Sequence, residues 1–411
     1  MSDSTSQGIG QSKIQTGRYL WIVLPLLTGV AVAQALLRQG FPAVYPFVQN
    51  EFGLSLAQVG LITSTLAIGY AVVSVLAGWL TDAFGVKRII TISLLSLTAF
   101  TLAFPLAHAF SVVLALAIFT GFVSSPTGPA MTLAIIDWFP TRIRALAMSI
   151  KQVGVPIAGA LTAAVLPALA LAIGWRMAVA ATGLLVLAIA ISFILLYRDS
   201  PREAQVVHKF NLATFKTIVQ NRSLVTTILW GTMFTGFQFI ILSYFMLFAI
   251  EELELSPIVA GGMLAIAQVS SIIARVMWGA ASDFLFHGRR IVVLAIVGFL
   301  TVMLMLGVSL MGAGIPSAVV YLIAIAIGLS TLSFHGVLIT HVGEQAEAGQ
   351  VGVTLGITNM STHVGMMVIP PCFGYLVDIS GSYSLGWRVA AVVAFVSTLG
   401  LLGFGRERQQ G

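Results

Sequence analysis

The chain has 411 residues, of which 58% are hydrophobic and only 8% charged, with a formal net charge of +6 and a mean hydropathy of +1.02. A soluble domain carries about 25% charged residues, so the composition excludes a water-soluble protein and places the chain in a bilayer. Its single cysteine, Cys372, excludes an intrachain disulfide.

Crossing ~30 Å of hydrocarbon takes about 20 helical residues. Apolar segments of that length recur twelve times, at 20–46, 57–80, 89–109, 112–137, 146–171, 176–197, 224–250, 257–281, 290–312, 317–341, 351–376 and 386–405. The expected fold class is therefore an all-α membrane protein. Glycine and proline are scattered through these segments, as membrane helices that pack closely and bend allow.

Residues 1–18 are polar and lack a short apolar core before a cleavage site, so the first span is expected to be retained. That span carries Arg38, the first of three cations inside predicted spans. A charge at a helix centre costs about 2.5–3.5 kcal/mol on insertion scales and is usually kept for a pathway. The rival reading is an arginine reaching outward to the interface, since Pro46 follows after only eight residues, about 12 Å of helix.

The second span contains Tyr70 and ends with Gly78 and Asp82, followed by Gly85, Lys87 and Arg88. Gly-x-x-x-Asp lets two helices approach at the glycine and leaves a carboxylate at the membrane surface, where helix N-termini and basic side chains can satisfy it. Asp137 ends the fourth span, and Arg144 lies in the loop after it. Lys151, the second cation, enters the fifth span about 10 Å beyond Arg144 and serves either the pathway or the interface. Gln152 beside it is either a ligand or a packing amide. Gly174, Trp175 and Arg176 open the sixth span.

The charged stretch 198–222 reads as a linker. In the eighth span Arg275, the third cation, precedes Gly279 by four residues and Asp283 by eight, with Arg289 and Arg290 after them. It binds substrate or supports the loop charges. His335 in the tenth span and His363 in the eleventh titrate near neutral pH or serve as hydrogen-bonded helix contacts. Asn359 offers an amide to a ligand or to a neighbouring helix. No carboxylate lies mid-span: Asp82, Asp137 and Asp283 sit at span ends and Asp378 just beyond one. Three cations without a partner predict a cavity that attracts an anion.

Most of the basic residues share one side, including Lys13, Arg18, Lys87, Arg88, Arg142, Arg144, Arg198, Arg202, Lys209, Lys216, Arg222, Arg289, Arg290, Arg406 and Arg408. The positive-inside rule makes that side, and both termini, cytoplasmic. Only Arg176 and Arg388 fall opposite, where Glu51, Glu251, Glu252 and Glu254 are expected to stand unopposed. Orientation thus explains the basic balance, and no nucleic-acid partner is implied.

The chain repeats itself. Gly78 and Asp82 recur as Gly279 and Asp283 at an offset of 201, and Gly174-Trp175-Arg176 as Gly386-Trp387-Arg388 at an offset of 212. The expected organisation is a tail at 1–18, a six-span half at 19–197, a linker at 198–222, a second half at 223–405 and a tail at 406–411. No Gly-x-x-x-x-Gly-Lys-Ser/Thr loop occurs, so ATP is not the direct driver. No metal-binding His-Glu-x-x-His occurs and the outer loops are too short for a catalytic domain, so neither an enzyme nor a cofactor is expected.

Twelve spans, two halves and the segment GWLTDAFGVKR at 78–88 resemble the major facilitator superfamily and its loop 2–3 signature. Gly78, Asp82, Gly85, Lys87 and Arg88 match that signature. Ala83 departs from it, as do Phe284 and the inserted His287 of the second copy. The resemblance implies two pseudo-symmetric six-helix bundles, a monomer, and a conformational latch at Asp82 and Asp283 with their basic neighbours. Arg38 followed by Pro46, Glu51, Phe52-Gly53-Leu54-Ser55 and Gln58-Val59-Gly60, with Tyr70 beyond, is similar to the anion:cation symporter branch. That likeness implies sugar acids or other organic anions as substrate, Arg38 as the carboxylate ligand, and Tyr70, Gln152 and Asn359 around it. Oxalate/formate and monocarboxylate carriers place a substrate arginine on the helix of Arg275.

Leu37 and Ser124 stand where sugar-acid symporters often have an aspartate and a glutamate, so proton coupling by that route is absent. Coupling through His335 or His363, or anion exchange, remains open. The expectation is a secondary transporter of a small organic anion in a bacterial-type inner membrane. Efflux of hydrophobic compounds and a non-transporting metabolite sensor are the alternatives.

Overall fold

The computed structural model describes residues 4–200, 218, 220–347 and 350–407, with side chains from residue 19 onward except those of 75, 141, 145 and 317. Most of the expected linker, including Arg202, Lys209 and Lys216, lies outside the described residues, as do Arg408 and the side chains of Lys13 and Arg18. Fifteen helices make up the described chain: α1 (Ser4–Gly40), α2 (Tyr45–Phe52), α3 (Leu56–Phe84), α4 (Val86–Leu102), α5 (Phe110–Ser124), α6 (Thr127–Trp138), α7 (Thr141–Ile173) and α8 (Trp175–Leu196) in the first half, then α9 (Arg222–Glu251), α10 (Pro257–Ala280), α11 (Arg290–Ser309), α12 (Ser317–Leu329), α13 (His335–Gln345), α14 (Val351–Ser380) and α15 (Tyr383–Phe404). Among the described residues eleven helical stretches are long and apolar enough to cross a membrane, and Ala318–Leu329 is a shorter apolar helix. The protein is a multi-pass, all-α membrane protein.

Local chemistry sets the ends. Ser55 caps α3 by accepting from the backbone N–H of Gln58, whose side chain accepts the Ser55 N–H at 2.9 Å, a reciprocal arrangement worth about 1 kcal/mol. Gly85 ends the helix at φ +80, a conformation that favours glycine. In the second copy of this turn the inserted residue is absorbed by a π turn over Ala281–Leu285 and by His287 at φ 52. One extra residue in a helix commonly resolves into such a widened turn.

Two expected spans are broken near their middle. Pro126 and Pro129 lack the N–H that a continuous helix needs, so the fourth crossing divides into α5 and α6, and Thr127 Oγ1 donates to the Ser124 carbonyl at 2.6 Å. The tenth crossing divides into α12 and α13 around a turn at 330–334. Two of its carbonyls are taken by α10: Trp278 Nε1 donates to Leu329 O at 2.7 Å and Arg275 Nη2 to Leu332 O at 3.2 Å. Buried backbone at membrane depth must find such partners.

In the first half α1 packs on α7, α3 on α5 and α4 on α8; in the second α9 packs on α14, α10 on α12 and α11 on α15. The same three pairings in the same order are the spatial form of the sequence repeat. Between the halves α3 packs on α14 and α7 on α10.

The bonds across this interface lie between the middle and the end that carries Glu51, here the opposite face. Asp378 at the end of α14 accepts the backbone N–H groups of Leu56 and Ala57, both at 2.8 Å. Tyr244 donates to Leu56 O at 2.9 Å and Pro370 O at 2.8 Å, Thr63 and Ser243 share a bond of 3.0 Å, and Gln268 Nε2 donates to Gln39 Oε1 at 3.1 Å. Gly60 and Gly374 let the backbones touch, since a Cβ on either would meet backbone atoms of Pro371 or Leu56. Further along the same helix faces, toward the basic loops, Gly78, Gly279, Gly352 and Gly356 have nothing within 4 Å of where a Cβ would stand. The halves are sealed at the opposite face and parted at the basic face.

Candidate functional site

Arg38 sits far deeper than an interfacial arginine. The first crossing runs on through a 3-10 turn at Phe41–Val44 and the whole of α2 before it reaches the opposite face. The guanidinium donates no hydrogen bond to the described residues, and its Nε is buried without a partner. It lines a small pocket with Gln34, Leu37, Leu66, Tyr70, Thr120 and Ser124, at the break in the fourth crossing.

Gln34 precedes Arg38 by one helical turn and organises the cavity wall. Its Oε1 accepts from Thr127 Oγ1 at 2.8 Å and its Nε2 donates to the Tyr70 hydroxyl at 3.3 Å. The Tyr70 ring lies flat on the His363 ring of the second half, centroids 4.4 Å apart and planes 6° from parallel. His363 Nδ1 is 2.7 Å from the Asn359 carbonyl one turn away. A chain of contacts thus runs from the α6 N-terminus through α1 and α3 to α14.

Arg275 and His335 belong to the second half, and His363 of that half is joined to the Arg38 pocket through the Tyr70 ring. Arg275 spends one Nη on the Leu332 carbonyl, while its Nε and His335 Nδ1 are buried without partners. No ion pair among the described residues includes Arg38, Arg275, His335 or His363. The expected loop-supporting role of Arg275 takes a different form here, because it caps the break in the tenth crossing rather than a surface charge.

The remaining expected ligands stand apart from Arg38. Lys151 is 6% exposed and does not extend to the basic surface. It precedes by one turn Gly154, which meets Thr28 and Ala31 of α1, about 15 Å of helix from Arg38. Gln152 and Asn359 are exposed, on the faces of α7 and α14 that follow the inter-half seams past the point where they open. Gln34, Thr127 and Asp378 were not expected in these roles. The one available signal was the four-residue spacing of Gln34 and Arg38, which puts both on one helix face.

At the basic face each copy of the latch motif is tied within its own half. Lys87 gives its backbone N–H to Asp199 at 3.0 Å, and Asp82 and Arg88 are exposed. Arg290 pairs with Asp283, donates to Ser282 Oγ at 2.9 Å and reaches Glu344 at 3.1 Å, while Arg289 is exposed. Arg144 donates to the Ile136 carbonyl at 3.0 Å, capping α6. At the opposite face one expectation is corrected. Glu51 is not unopposed, because Trp175 Nε1 at 2.6 Å and Arg176 Nη1 at 2.7 Å both donate to it.

Comparison with known proteins agrees with this architecture. A bacterial homologue of the human lysosomal transporter Spinster, solved in an inward-facing and occupied conformation, superposes with a TM-score of 0.75 at 16% identity over 94% of this chain and 96% of that one. The nucleoside transporter NupG gives a TM-score of 0.73 at 13% identity over 93% and 98%. Among characterised sequences, a hexuronate transporter of Bacillus subtilis (strain 168) is 24% identical over 387 residues, 90% of each chain. A probable sulfoacetate transporter of Cupriavidus necator is 22% identical over 95% of this chain and 94% of its own. A probable galactarate/D-glucarate transporter of Escherichia coli (strain K12) is 24% identical over 82% and 83%. The family model of the Major Facilitator Superfamily matches residues 27–354, and with the repeated helix pairings and the basic-face signature this chain belongs to that superfamily, one of transporters rather than enzymes.

Proposed function

We propose that this protein is a secondary active transporter of a small organic anion in a bacterial inner membrane, working by alternating access with Arg38 as the anchor for a substrate carboxylate. The observation that carries the reading is the guanidinium of Arg38, which has no protein partner among the described residues and whose Nε is buried. A buried charge is tolerated when something neutralises it, and a planar guanidinium matches a carboxylate in two parallel bonds. Tyr70, Gln34, Thr120 and Ser124 beside it offer neutral hydrogen-bonding groups to the rest of the molecule. The relatives named for hexuronate, sulfoacetate and galactarate/D-glucarate transport are named for acids, which supports the same class. They differ in the number of anionic groups their named compounds carry.

In this orientation the basic face is cytoplasmic, and the described conformation is open to the cytoplasm. Substrate released from Arg38 passes Gln152, Asn359 and the Lys151 level on its way out. Asp82 and Asp283 with their basic neighbours would exchange their present partners for cross-half ones when the basic face closes. A cation in the pocket lining disfavours efflux of neutral hydrophobic compounds.

The test is a thermal-shift screen of purified wild-type and Arg38→Gln protein against organic anions and neutral drug-like compounds, because a ligand stabilises by mass action. Stabilisation by organic anions that is lost in Arg38→Gln is the expected result. Stabilisation by neutral compounds alone, equal in both proteins, would overturn the anion reading.

A further inference from the structure

Arg38 and Arg275 belong to different halves of the molecule, on the helices α1 and α10 that a pair of bonded glutamines joins. Each arginine has a buried Nε without a partner, and the ion pairs among described residues all lie at the two faces of the molecule, not at its centre. The packing fixes their relation. Gln39, next to Arg38, bonds Gln268 at 3.1 Å, and Arg275 follows Gln268 by two turns, about 10 Å, on the same face of α10. The bonded glutamines hold the two helices together on one side of the pair of arginines, while on the other the α7–α10 seam is open at Gly279.

We infer that the transported substrate carries two anionic groups on a short carbon chain, one received by Arg38 and the other by Arg275. This rests on the organic-anion reading and narrows it. A single carboxylate neutralises one guanidinium and leaves the other without a counter-charge. Two anionic groups neutralise both and, because the arginines ride on opposite halves, draw α1 and α10 together at the level where the basic face must close. The second charge thus serves recognition and closure at once. A monoanion engages one half only and supplies no differential free energy for the closed state, and a ligand cannot shift an equilibrium it does not bind differentially. Tyr70 stacked on His363 forms the wall beside the bridging molecule.

The experiment compares length-matched acids with one and two anionic ends, butyrate with succinate, gluconate with glucarate and acetate with sulfoacetate, as ligands of the full-length protein and as substrates in proteoliposomes. The expected result is that at least one dianion binds wild type about tenfold or more tighter than its monoanionic partner and is the member of the pair that is transported. In Arg275→Gln the difference disappears while monoanion affinity is kept. Arg275→Lys, which retains the charge, keeps part of the preference. Equal affinity of wild type for both members of every pair would overturn the inference and leave the organic-anion reading standing. So would a loss in Arg275→Gln that is proportional for both, which would assign Arg275 to the Leu332 carbonyl alone. Failure of every anion to bind would overturn the organic-anion reading, and this inference with it.

Discussion

Arg38 donates to nothing among the described residues and its Nε is buried without a partner, an arrangement that a ligand carboxylate would relieve. Its removal should therefore separate stability from function. Arg38→Gln is expected to leave the melting temperature unchanged or raised, because no protein partner is orphaned by the change. Substrate binding should weaken by about 2–5 kcal/mol, as when one member of a buried charged pair is truncated. Calorimetric melting and ligand titration on the same preparation check both halves of that statement. Arg38, Tyr70 and Arg275 stood out in the sequence, as proposed site residues, because charge is rare in membrane spans and Arg38 and Tyr70 stood at a spacing shared with known carriers. Gln34 and Thr127 were not, since amides and hydroxyls are ordinary helix-packing groups and their roles depend on which helix faces them. Glu51 was misread because its partners, Trp175 and Arg176, lie more than a hundred residues away.

At the scale of elements, one pair of helices shows both what is closed and what must close next. Along the α3–α14 seam a Cβ at Gly60 would stand 2.6 Å from the Pro371 Cα, whereas a Cβ at Gly78 meets nothing. Gly60→Ala is expected to disfavour the present conformation by about 1–3 kcal/mol through overpacking and to expose the opposite face. Gly78→Leu should leave the present conformation intact and block closure at the basic face. Asp378→Asn loses the charge and one of the two oxygens that cap the first turn of α3 across the interface, so the opposite-face seal should weaken by about 1–3 kcal/mol. Cysteine labelling from each side, in a background where the one native cysteine, Cys372, is replaced by serine, reads all three. Unchanged labelling in Gly60→Ala and Asp378→Asn would show that these contacts do not hold the gate. The helices themselves were readable from hydropathy, and the extra residue at His287 from spacing. The breaks in the fourth and tenth crossings were not, because proline and glycine are as common in continuous membrane helices as in divided ones. Only the carbonyls left over at Leu329 and Leu332, and the side chains that claim them, mark the second break.

For the whole molecule, the two-half architecture followed from the repeat at residues 78–88 and 279–290, and the structure shows the same three helix pairings in each half. The relation between the halves could not be read from the chain, since it depends on seams that are packed at one end and parted at the other. That geometry matches one of the two end states that alternating access requires. On the proposed function, transport then needs an anion whose binding favours closure. The measurement that tests this most directly is uptake of a labelled organic anion, chosen by its thermal stabilisation of the wild type, into proteoliposomes bearing wild type or Arg38→Gln. Vesicles would be run with an imposed proton gradient, with internal counter-anion, and with neither. Accumulation by the wild type under a gradient or by exchange, abolished in a folded Arg38→Gln protein, is the predicted result. Binding without accumulation under any of the three conditions would contradict a transport role, and accumulation undiminished in Arg38→Gln would contradict Arg38 as its anchor.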